Sequence, residues 1–203
     1  GPVFRRLASL WLPAIGGVVS VKAIDLSDAF FVGQLGGGAL AAISFTFPLL
    51  MTLISLAVGL SAGASSVLSR AIGAGAGRDE RQAIASGAVV MAFIVSLAVG
   101  VTGWFATVPV LTLLGAQGEI LADAATYLRI WFGGIFLLIV PVAITGLLRA
   151  AGHGTSPAAL MALTAVLNIA LNPVFIFGLG PVPRMEMPGA GVATLLARAV
   201  ALV

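Results

Sequence analysis

From Ala39 to Ser69 the chain carries 31 residues without one charged side chain, and residues 83–108 form a second such run of 26. About 20 apolar residues in a helix cross the hydrocarbon core of a bilayer. Inside that core every backbone N–H and C=O needs a partner within the protein. Runs of this length therefore restrict the fold to membrane-spanning helices. Composition agrees, with 60% of the 203 residues hydrophobic and 8% charged, against about 25% charged in an ordinary soluble domain. The 26 glycines suit helices packed closely in lipid, where small residues let backbones approach. A net charge of only +3, with basic residues scattered between apolar segments, reads as a topology signal and not as a nucleic-acid surface. The absence of cysteine excludes disulfides and thiolate metal sites.

Six apolar segments follow in order, at about 7–33, 39–69, 83–108, 126–148, 157–179 and 189–203. The fold class is an all-α integral membrane protein of six transmembrane helices. The sixth, at about 15 residues, is too short to span a bilayer comfortably, so the chain reads as a fragment or a half of a larger membrane protein. The first segment is too long and too charged for a signal peptide and is read as retained. Pro13 removes a hydrogen bond within it and marks a candidate hinge. Residues 109–125 are amphipathic and predict a short interfacial helix. In the fourth segment, Tyr127 and Trp131 sit like an interfacial aromatic belt, Arg129 lies close enough to the end to snorkel, and Pro141 is expected to bend the helix. The GAGAG stretch at 73–77 follows no strand and has no Lys-Ser/Thr end, so it reads as a flexible loop and not as a phosphate cradle.

Polar residues inside the apolar runs carry the functional signal. Lys22, Asp25 and Asp28 lie in the first segment, where each ionisable group costs about 2.5–3.5 kcal/mol on insertion scales. Their spacing of three places them within a sector of about 120° on the helix. Lys22 and Asp25 neutralise each other as an i,i+3 pair, or Lys22 snorkels towards an interface, or the two line a cavity, and one lysine does not neutralise two aspartates. Asp28 is thus a surplus carboxylate that needs a cation, a proton or another helix. In the fifth segment, Asn168 and Asn172 share one face, and Pro173 frees a carbonyl nearby. Spacing alone leaves these amides equally open to packing and to function. The single histidine, His153, falls in a Gly-rich loop and reads as a loop residue.

Arg5, Arg6, Arg70, Arg78, Arg81 and Arg149 flank or join segments on one side, against Arg184 on the other. The positive-inside rule makes the first side, with the amino terminus, cytoplasmic, in a plasma or inner membrane. No nucleophile, base and oxyanion donor assemble, nor any metal-ligand set, so the reading is not an enzyme and calls for no cofactor.

Five stretches in order, LSDAFFVGQLGGGALAAISFTFPL, RAIGAGAGRDERQA, ITGLLRAAGHGTSP, LNIALNPVFIFGLG and GAGVATLLAR, resemble the multidrug and toxic compound extrusion (MATE) family over essentially the whole chain. The resemblance implies a twelve-helix antiporter of two six-helix lobes about a central cavity, exporting mostly cationic, amphipathic compounds in exchange for H+ or Na+. Asp28 matches the first-helix carboxylate used for coupling, Asn168 matches a fifth-helix Asn at the same site, and Thr194 matches a sixth-helix hydroxyl. Pro13 resembles the first-helix proline associated with bending. Asn172 stands where some members carry Asp, and Lys22 and Asp25 have no place in the family pattern.

These expectations define a coupling site of Asp28, Asn168, Asn172 and Thr194, whose oxygens also offer ligands to Na+. Lys22 and Asp25 are possible cavity charges. A small-molecule substrate, the bilayer and a second six-helix lobe are the implied partners. Two rival readings are a lipid-linked sugar flippase of related fold and a membrane assembly subunit without transport of its own. The flippase, which handles phosphates, calls for several intramembrane bases, and Lys22 is the deep base in this reading.

Overall fold

A computed structural model describes residues 2–153, 155–179 and 182–201, excluding the side chains of residues 2–14 and 155–157. Seven helices occupy the described residues: α1 Pro2–Gly33, α2 Gly37–Gly73, α3 Arg78–Leu113, α4 Gly118–Gly133, α5 Phe136–Ala150, α6 Thr155–Phe177 and α7 Met187–Ala201. By length and hydropathy, α2, α3 and Ala158–Phe177 within α6 are each long and apolar enough to cross a membrane, and so are α4 and α5 taken together as one span broken by a 47° bend. The protein is therefore a multi-pass membrane protein. The backbone of Pro13 falls within α1, but the side chain of this expected hinge lies outside the described residues.

The broken span differs from the sequence expectation. Pro109 sits inside α3, which runs on to Leu113, and no separate interfacial helix occupies 109–125. A proline removes one helical hydrogen bond, and the apolar VLTLL that follows keeps the helix going. After a turn at 114–117, α4 takes up the remainder of that stretch as the first half of the fourth span. The bend falls between Gly133 and Phe136, whereas Pro141 lies within α5. Glycine pairs are a recognised cause of sharp kinks, and here neighbouring helices use the missing side chains. A Cβ on Gly134 would run into the Leu195 side chain of α7, and one on Gly100 of α3 would lie 2.8 Å from the Phe132 carbonyl oxygen.

The bent span is also the centre of the core. Tyr127, Leu128, Trp131, Phe132, Ile135 and Ile139 are all buried in it. Tyr127 is 2% and Trp131 6% exposed, so they are core residues and not the interfacial belt their spacing led us to expect. Arg129 on the opposite face is exposed and lies 5.9 Å above the ring of Trp104 on α3. Around this centre α2 packs on α5, α3 on α4 and α5, and α7 on α4. The helices that carry the polar residues form a second seam, in which α1 packs on α6 and α6 on α7. Gly146 marks the closest approach of α5 to α2, since a Cβ there would collide with Ser61 Oγ and lie 2.9 Å from its carbonyl oxygen.

Candidate functional site

The seam of α1, α6 and α7 gathers three residues from distant parts of the chain around the carboxylate of Asp28. Asp28 Oδ1 accepts hydrogen bonds from Asn172 Nδ2 at 2.7 Å and Asn168 Nδ2 at 3.3 Å, and Oδ2 faces the Thr194 hydroxyl at 3.3 Å. Asn168 Nδ2 also reaches Thr194 Oγ1 at 2.8 Å. Asn168 and Asn172 are fully buried and Thr194 is 1% exposed. Helical geometry explains the gathering. The two amides lie one turn apart on α6 and present a short polar ladder to α1, and the small Gly189, Ala190 and Ala193 are buried beside Thr194 on α7. Gly189 is required there, because a Cβ would lie 2.5 Å from the Phe175 carbonyl oxygen of α6.

The network is unevenly satisfied. The two hydrogens on Asn172 Nδ2 face three acceptors, Asp28 Oδ1, Ser27 Oγ at 2.9 Å and Asn168 Oδ1 at 3.2 Å. Asn172 Oδ1, by contrast, is buried without a partner. The one hydroxyl hydrogen of Thr194 is shared between Asp28 and the Ala190 carbonyl oxygen, which is nearer at 2.9 Å. The cluster therefore has acceptors in excess of donors, and one acceptor stands orphaned in a low-dielectric interior. Such a group costs about 1–3 kcal/mol if left unsatisfied. A proton on Asp28 or a small cation supplies what the cluster lacks.

The remaining sequence candidates divide cleanly. Lys22 Nζ and Asp25 Oδ2 form an ion pair at 2.8 Å, with side chains 69% and 45% exposed, one turn from the cluster but turned out of it. The 120° sector that holds the three ionisable residues thus straddles the boundary between the inside and the outside of the bundle. His153 is exposed in the turn after α5. Among the described residues no group of three His, Cys, Asp or Glu side chains stands ready to hold a metal. Two residues escaped the sequence reading. Ser27 joins the cluster through Asn172, and its one signal was its place beside Asp28. Arg198 lies on α7 one turn beyond Thr194, with Nε buried and without a partner. This base is half-buried, whereas Lys22 is exposed.

The chain is thus a multi-pass helical bundle in which a carboxylate is held among two amides and a hydroxyl at the seam of three helices, the build of an integral membrane protein with a polar cluster between its helices. The MatE family model matches residues 13–174, and the chain belongs to that family. It is 38% identical over 99% of its length to a FAD transporter of Shewanella oneidensis, covering 44% of that protein. It is 29% identical over 96% of its length to a probable multidrug resistance protein of Bacillus subtilis, covering 42% of it. Among solved structures, a MOP superfamily transporter from Pyrococcus furiosus superposes on 95% of the chain with a TM-score of 0.87 at 32% identity, over 41% of that transporter. The chain thus spans less than half the length of the relatives it matches.

Proposed function

We propose that this chain forms one six-helix lobe of a secondary active antiporter that exports cationic or amphipathic organic compounds in exchange for H+ or Na+. Asp28 is the coupling carboxylate, held by Asn168, Asn172 and Thr194. The observation that carries the reading is the imbalance in the cluster, where the half-buried Asp28 carboxylate and the buried, orphaned Asn172 Oδ1 stand side by side. The multidrug resistance names of several relatives support the export of organic compounds. A second lobe completes the transporter, and the family's length leaves room for it.

The mechanism follows from cost. A carboxylate in a membrane interior is expensive in its charged form, and the amides and hydroxyl stabilise that form by donating to it. Binding a proton converts the carboxyl into a donor, which suits Asn172 Oδ1 and weakens the claim of the three donors on Asp28. Binding Na+ recruits the oxygens of Asp28, Asn168, Asn172 and Thr194 instead. Either event changes the polar seam between α1, α6 and α7 and so biases two packings of that seam, which is the differential interaction that coupling demands. The amino terminus and the loops bearing Arg78 and Arg149 face the cytoplasm in this reading, by the excess of arginines on that side.

The test is Asp28→Asn in the full-length transporter, followed by efflux of a cationic dye from cells under an imposed proton or sodium gradient. Gradient-driven efflux is expected to disappear while the amount of inserted protein stays the same. Efflux that proceeds at the unmutated rate would overturn the assignment.

A further inference from the structure

Among the described residues, the half-buried Arg198 side chain, with its Nε enclosed, is a base that the export of cations leaves without use. Arg198 is the twelfth residue of α7, about 16 Å along the helix from Met187, and no ion pair links it to a carboxylate among the described residues. Its Cζ lies 6.0 Å above the ring of Trp131 on α4. Arg198 Nε and Trp131 Nε1 are both buried without an acceptor. The two stand together because α4 and α7 run side by side, with Tyr127 against Gly191 and Trp131 against Arg198. Tyr127 and Trp131, one turn apart on α4, meet edge to face at 6.4 Å, and both rings are buried.

Two unmatched N–H donors, one on a permanently charged group, are costly to keep in a membrane interior. Their chemistry asks for an anionic oxygen. Thr194 lies one turn away on the same face of α7 and touches Asp28, so the pair adjoins the coupling cluster. When Asp28 is neutralised by a proton or Na+, the positive charge of Arg198 is left as the net charge of this interior. A purely cationic substrate gains nothing from such a neighbour.

We propose that Arg198 and Trp131 form an anion-reading subsite of the transported compound, which takes a phosphate or carboxylate oxygen of an amphipathic organic anion. This extends the substrate range beyond cations and rests on the reading that compounds pass through this lobe. Arg198 acts through charge and its N–H fork, Trp131 through the indole N–H.

Equilibrium binding to the full-length transporter in phosphatidylcholine nanodiscs, with no ion gradient, tests the subsite separately from coupling. The probes are FAD, riboflavin, which has the same ring system without phosphate, and ethidium, a planar cation. The unmutated protein is expected to bind FAD more tightly than riboflavin, and inorganic pyrophosphate is expected to displace FAD. Arg198→Gln should weaken FAD at least tenfold, in line with the loss of a charge-assisted hydrogen bond, and leave riboflavin and ethidium unchanged. Arg198→Lys should retain part of the preference, and Trp131→Phe, which keeps the ring and loses the N–H, should weaken FAD severalfold. Equal binding of FAD and riboflavin by the unmutated protein would refute the proposal. So would an Arg198→Gln protein that binds FAD normally, or one that loses all three probes alike, since that result marks a packing role. Loss of dye efflux in Asp28→Asn with normal FAD binding would uphold both readings, and normal efflux in Asp28→Asn would strike only the coupling assignment.

Discussion

Replacing Asn172 with alanine removes the shortest contact to Asp28, the 2.7 Å hydrogen bond from Nδ2 to Oδ1, and at the same time removes the orphaned Oδ1 acceptor. A hydrogen bond to a charged group contributes about 1.5–3 kcal/mol. At about 1.36 kcal/mol per pH unit, that corresponds to a displacement of about one to two units in any equilibrium that protonates Asp28. The sign follows from which form the amide serves. Nδ2 donates to the ionised carboxylate, so its loss disfavours ionisation and the proton is held to higher pH. The pH midpoint of proton-coupled efflux should therefore move upward in Asn172→Ala, by less than the roughly one to two units of the lost donor alone, because the Oδ1 that would accept from protonated Asp28 is removed with it. The bond from Asn168 to the same oxygen is longer, at 3.3 Å, so Asn168→Ala should move the midpoint in the same direction but less. Asn172→Asp places a second carboxylate beside the first, which should raise the midpoint of the first protonation and strengthen Na+ dependence. Efflux measured across pH, with and without Na+, in these three variants decides the matter. Midpoints that stay in place, or a larger shift for Asn168 than for Asn172, would refute the reasoning and return the amides to a packing role.

Three further outcomes are expected. A single cysteine at position 78 or 149 in this cysteine-free chain should resist membrane-impermeant reagents applied outside intact cells and react once the membrane is opened, and labelling from outside would reverse the topology. Asp25→Asn should leave gradient-driven efflux largely intact, because the Lys22–Asp25 pair is exposed and turned away from the cluster and exposed pairs contribute about 0–1 kcal/mol; loss of coupling in this variant alone would mean that Asp25 is the coupling carboxylate. Gly146→Ala should lower the thermal midpoint of the purified protein, since its Cβ meets both the hydroxyl and the carbonyl of Ser61 and overpacking costs about 1–3 kcal/mol. An unchanged midpoint would show that the α2–α5 seam yields without strain.

The sequence by itself determined that this is a helical membrane protein, because long uncharged runs leave the backbone no other way to satisfy its polar groups in lipid. It also singled out Asp28, Asn168 and Asn172, because polar side chains are costly inside apolar runs. It left the two amides equally open to packing, however, and Thr194 entered only through the family resemblance; packing brought the four side chains together. Tertiary structure decided which face of each helix turned inward. A membrane helix is apolar on nearly every side, so its pattern does not distinguish a neighbouring helix from lipid, and only packing showed that Tyr127 and Trp131 are buried while Lys22 and Asp25 are not. Packing likewise placed the bend at Gly133–Gly134, where Leu195 fills the space a side chain would take, and left Pro141 inside a continuous helix. Nothing in the sequence singles out Arg198. The company of Trp131, which lies 67 positions earlier in the chain, gives it a buried and unmatched donor, and that proximity arises only when α4 and α7 pack together.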